Sequence, residues 1–166
     1  MDEPGVTIDR PNRRKAASKL TRVIVVVLLL VSAGLLAIVL IGGWDAIEGA
    51  KVLQGAYGVL YILLAVFVMR WNRGVLPLIA ALAIVLLIFA AVSAPEWFER
   101  DKTGFSDPTL DESILGLLTA LIVPVQLLLI AFSMSGFRQA WNVEVEHHDE
   151  PPPAPRERSR PSPAPA

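Results

Sequence analysis

Four stretches of about 18 or more residues without a single Asp, Glu, Lys, Arg or His constrain this chain more than any other feature. They run from Val23 to Gly43, Val52 to Met69, Val75 to Ala94 and Ile114 to Phe137. At about 1.5 Å of rise per residue, a helix of roughly 20 residues crosses the hydrocarbon of a bilayer. Each stretch is apolar around most of its circumference, whereas a helix on a water-facing surface keeps one polar face. The expectation is an all-α membrane protein, a four-transmembrane-helix bundle of up-down-up-down topology. It occupies residues 23–137, with spans near 23–43, 52–69, 75–94 and 114–137.

Composition points the same way. Residues of the set AVILMFWYC make up 54% of the chain and charged residues 19%, with a mean hydropathy of +0.53, too apolar for an ordinary soluble domain. Cysteine is absent, which removes disulfide scaffolds, thiolate metal sites and cysteine nucleophiles together. A formal charge of −1 supplies no basic field for nucleic acid, so no nucleic-acid partner is expected. The bias of 11 Arg to 4 Lys, with abundant Ala, Val, Leu and Pro, looks like that of a high-GC bacterial chain, by association alone.

Positive charge sets the orientation, because Lys and Arg in short loops stay on the cytoplasmic side. Twelve of the 15 lie before span one, between spans two and three, or after span four; Lys51, Arg100 and Lys102 lie on the other side. An even number of crossings puts both termini on one side, so both are expected in the cytoplasm of a cell-membrane protein. Span one is read as an anchor, since its apolar run is longer than the roughly 7–15 residues of a signal-peptide core and no small-residue cleavage site follows Gly43. Arg13 and Arg14 are read as topology determinants rather than a twin-arginine signal. Trp44, Trp71, Trp97 and Trp141 each follow one span and are expected as interface anchors, indole rings favouring the headgroup boundary.

Residues 1–22 form a basic segment expected to be a disordered cytoplasmic tail near enough to the membrane to attract anionic lipid. Residues 142–166 are acidic and then proline-rich and are likewise expected to be disordered. Pro152 to Pro155 matches PxxP, which nearly any tail of this composition would contain, and His147 with His148 makes at most a weak metal site. The turns 44–51 and 70–74 are short, which predicts packing in sequence order for spans one to three. Asp45 and Glu48 have the spacing of a capping box ahead of the second helix. Residues 95–113 make an acidic external loop, whose carboxylates fit calcium poorly; Trp97, Phe98 and Phe105 are expected against the headgroups.

Polar side chains inside hydrocarbon must find protein partners. In span four Thr119, Gln126 and Ser133 recur every seven residues, beside the small pair Gly116 and Ala120. In span two Gln54, Tyr57, Gly58 and Tyr61 share one face. Both stripes are expected to face inward as an intramembrane polar seam, with Tyr61 at a depth between Thr119 and Gln126, within reach of a direct or water-bridged bond. Pro124 lacks the N–H for Ala120 and is expected to kink the helix before Gln126. A polar cavity or substrate path is the sharper alternative to packing.

No phosphate cradle, metalloprotease helix or Ser/His/Asp set occurs, the only histidines lying in the tail. An enzyme using Glu96 with Glu99 is the residual catalytic reading. The expectation is a multi-pass, non-enzymatic protein without a cofactor. Its partners are the lipid bilayer and either a protein partner or copies of itself. The alternative is a small transporter or channel subunit working as an oligomer.

Overall fold

A computed structural model describes residues 6–9, 11–47, 49–100 and 108–148. Apart from turns, the described residues are helical with one two-stranded sheet. Strand β1 (Val6–Asp9) and the single turn α1 (Pro11–Arg14) precede α2 (Ala16–Gly42), α3 (Lys51–Met69), α4 (Leu76–Phe98) and α5 (Glu112–Arg138); β2 (Val145–His148) follows. The four longer helices are long and apolar enough to cross a membrane.

The helices outrun the uncharged stretches. α2 starts at Ala16 rather than near Val23, and α4 continues through Pro95 to Phe98. A charged residue ends a hydrocarbon stretch but not a helix: Lys19 and Arg22 are good helix formers. Asp111 starts α5, its carboxylate accepting the Ser113 amide at 2.9 Å, which satisfies one orphan donor of the first turn. The expected capping box does not form. Asp45 lies in the turn 43–46, where the Ala46 and Ile47 amides bond Gly43 O at 3.0 and 2.9 Å. α3 starts later, behind Ala50, with no side-chain cap; Glu48 lies outside the described residues.

Packing departs from sequence order. α2 packs against α3 and α5, and α4 against α5, whereas α3 and α4 scarcely approach although only residues 70–75 join them. A short connection ties two helix ends without bringing the rest together. The buried face of α4 is rich in alanine (Ala80, Ala83, Ala90 and Ala94), which lets a neighbouring backbone come close. α3 buries Tyr57, Tyr61, Leu64 and Val68, and its close helix neighbour is α2. Val25, Leu29, Leu76, Ile79 and Leu129 belong to the core and have no exposed surface. Outward faces remain hydrocarbon, with Val27, Ile38, Ile62, Ile88 and Leu127 near half exposed.

β1 and β2 pair antiparallel, Val6 opposite His148 and Asp9 opposite Val145, so both lie at one end of the bundle. Within the segments 1–22 and 142–166, the described residues carry these strands, α1 and the first turns of α2. Low hydrophobicity argues against an independent core, but a strand pair needs only backbone bonds and an anchor. The anchor is α1: Asn12 Nδ2 donates to Ala140 O at 3.0 Å, Arg13 Nε to Trp141 O at 3.3 Å, and an Arg13 terminal nitrogen to Asn142 Oδ1 at 3.0 Å. The PxxP segment and residues 101–107, with Phe105, lie outside the described residues.

Candidate functional site

Three helices meet at one polar node in the bundle centre. Tyr61 Oη on α3 donates to Gln126 Oε1 on α5 at 2.9 Å, and Gln126 Nε2 donates to Ser32 Oγ on α2 at 2.9 Å. Ser32 Oγ in turn donates to Leu28 O at 2.8 Å. All three side chains have no exposed surface, so these bonds replace water that the interior does not offer. Gln126 points inward because Thr119 and Ser133, one heptad away on either side, lie on the same buried face.

Ser32 was not singled out in the sequence, although a signal existed: it is the sole hydrogen-bonding side chain between Val23 and Gly43. The other seam residues are satisfied more locally. Thr119 Oγ1 donates to Leu115 O at 2.8 Å, and Gln54 Nε2 crosses to Leu36 O at 3.2 Å. Tyr57 packs edge-on against Tyr61, ring centroids 5.9 Å apart. Ser133 Oγ is buried without a hydrogen-bond partner among the described residues. Pro124 sits on the exposed side of an unbroken α5.

Where α3 and α4 separate, at the end away from the strands, a cavity of about 370 Å³ opens. Leu36, Leu53, Leu86, Phe89 and Ala90 form apolar walls, with Thr119 and Ile122 from α5 behind them. Polar groups gather at the mouth: Gln54, Ser93, Glu96 and Arg100. The Arg100 guanidinium lies over the Trp97 ring, 4.9 Å from its centroid, and donates to Ala46 O at 3.0 Å. Tyr57 belongs both to the cavity lining and to the aromatic contact with Tyr61, so the cavity adjoins the polar node.

The opposite end is closed. Trp141 is fully buried, its Nε1 donating to Gln139 Oε1 at 3.0 Å, while Gln139 Nε2 donates to Thr21 Oγ1 at 2.9 Å. Trp71 meets Trp141 edge-on at 5.5 Å and is covered by the Arg22 guanidinium at 4.2 Å. Arg22 also donates to Met69 O at 3.3 Å, and Arg73 Nε to Phe137 O at 2.7 Å. Arg22 and Arg73 thus bond carbonyls at the C-terminal ends of α3 and α5, where cations are favoured.

The tryptophans divide. Trp44 is half exposed, with Lys51 Nζ 4.6 Å from its ring centroid, whereas Trp97 and Trp141 are buried against protein. These two join helix ends to one another rather than meeting headgroups. The Trp141 indole N–H finds its polar partner in Gln139, which removes its reason to face water. In the basic segment Lys15 and Lys19 are exposed, while Arg14 lies 3.3 Å from Asp9. Among the described residues no three potential metal ligands gather; His147 and His148 occupy strand positions opposite Thr7 and Val6. Comparison of the chain with known protein families, with curated proteins and with solved structures finds no match in any of the three, so the reading rests on this geometry.

Proposed function

We propose that this chain is a multi-pass protein of the cell membrane, an up-down-up-down bundle with both termini cytoplasmic, which works as a non-enzymatic binding and docking protein. The observation that carries the reading is the distribution of solvation: four long apolar helices keep hydrocarbon on their outward faces. Such faces are stable among acyl chains and unstable in water. The β1–β2 pairing supports an even number of crossings, and the charge bias supports the cytoplasmic side. Exposed Lys15 and Lys19 are suited to anionic headgroups.

Single thiols test the orientation without background, since the native chain has no cysteine. Thr109→Cys labels with an impermeant maleimide on intact cells, and Asn142→Cys labels only after permeabilisation; the reverse pattern would overturn the orientation. A chain that is monodisperse in buffer without detergent would overturn membrane residence itself. A protein partner whose co-purification is lost on truncation after Trp141 supports docking.

One observation favours a second reading, a transporter or channel subunit acting as an oligomer. Buried polar side chains continue from Thr119 through Gln126 and Ser133 on one face of α5, beginning at the cavity. Uptake of glycerol or urea into reconstituted vesicles that falls in Gln126→Leu supports this reading; permeability equal to that of protein-free vesicles supports the first.

A further inference from the structure

The gap between α3 and α4 is a site with a defined chemistry. Its volume, about 370 Å³, lies within the roughly 300–1,000 Å³ of small-molecule sites. The walls are aliphatic and aromatic, and Leu53 and Phe89, which belong to its lining, are about half exposed on the outside of the bundle. A ligand therefore enters sideways, between the helices, from the phase that surrounds them. On the membrane reading proposed above, that phase is acyl chain, and the occupant is a lipid rather than a water-borne solute.

The mouth distinguishes among lipids. Glu96, in the last turn of α4, and Arg100, two residues beyond its end at Phe98, both line it. The guanidinium is already held by the Trp97 face and by Ala46 O, which orients a planar donor array suited to phosphate. The Glu96 carboxylate is exposed and suited to an ammonium group. A headgroup carrying phosphate and ammonium complements both charges. A purely anionic headgroup would satisfy the arginine but sit beside the carboxylate.

We propose that this cavity binds one chain of a zwitterionic phospholipid, its phosphate at Arg100, its ammonium at Glu96 and its acyl tail along Leu86, Phe89 and Ala90. The proposal rests on the membrane reading and fails independently of it. The full chain is purified in detergent and equilibrated with equimolar phosphatidylethanolamine and phosphatidylglycerol of identical acyl chains, and retained lipid is counted by native mass spectrometry.

The expected result is one phosphatidylethanolamine per chain, preferred by about tenfold, the preference that one charge-assisted contact supplies. Glu96→Gln erases the preference while leaving a lipid bound. Ala90→Phe fills the cavity and loses the lipid. Ser93→Phe, at the half-buried rim, is the second variant should Ala90→Phe misfold, with unchanged helical circular dichroism as the control.

Equal retention of both lipids by the native chain overturns the assignment, as does lipid binding that survives Ser93→Phe in a folded protein. Detergent dependence without selective retention refutes this site alone; solubility without detergent refutes the membrane reading beneath it.

Discussion

Gln126 is the side chain that joins three helices, and its neighbours show what a single polar residue does in an apolar interior. With Tyr61 on one side of the amide and Ser32 on the other, losing either partner leaves a buried group unpaired, which costs more than the bond itself contributes. Tyr61→Phe and Gln126→Leu are therefore each destabilising, but the double variant loses less than the sum, by about 0.6–1 kcal/mol, the coupling of hydrogen bonds between membrane helices. Thermal unfolding in detergent measures it, and additive losses would show that the bond carries no energy. Ala140 makes the opposite case, being held at φ 49°, where a Cβ is strained by roughly 1 kcal/mol. Ala140→Gly relieves that strain against a comparable gain in unfolded-chain entropy of about 0.4–1 kcal/mol, so Tm stays level or rises slightly. A clear fall would mean that the methyl group packs.

The boundary of one element, α5, follows from a cap. α5 begins at Asp111 because its carboxylate receives the side-chain and backbone hydrogen bonds of Ser113, which hold its pKa below the ordinary value of 3.8. A depressed folded-state pKa contributes stability above the unfolded value and loses it as pH falls through the folded one. Asp111→Ala is accordingly less stable than the native chain at pH 7, and the gap closes as the pH is taken below 3.8. An equal gap at both ends of a pH series of melting curves would exclude the cap. At the other end of α5, Trp141 fills the space beside Gly136, Leu76 and Thr21. Trp141→Ala leaves a void there and costs about 3–5 kcal/mol. Faster hydrogen exchange in β2 would accompany it, since Arg13 bonds the Trp141 carbonyl; a small loss confined to Tm would show that the end can collapse onto the gap.

At the scale of the whole molecule, two surfaces determine what it can do: the closed end, where the strands pair, and the open gap between α3 and α4. The pairing places Thr7 opposite His147, so a Thr7→Cys, His147→Cys chain oxidises to an intramolecular disulfide, the paired Cα atoms lying within bridging range. It is read as faster migration on a non-reducing gel. A chain that stays reduced, or links only between molecules, would mean that the ends do not meet.

What the residue order determined alone was solvation and periodicity. Uncharged runs of about 20 residues have one comfortable environment, so the four helices were legible, as was the inward stripe of Thr119, Gln126 and Ser133, because heptad spacing keeps one helix face in register. Partnership was not legible. Ser32 carries no pattern of its own, and its bond to Gln126 depends on the rotation of α2 against α5, which packing decides. The separation of α3 from α4 was hidden for the same reason: a short turn fixes where helices begin and end, while the packing of α3 on α2 and of α4 on α5 decides where the rest of each lies. Trp97 and Trp141 mark helix ends in the chain, yet only the folded arrangement turned them inward, by offering partners that a headgroup would otherwise have supplied.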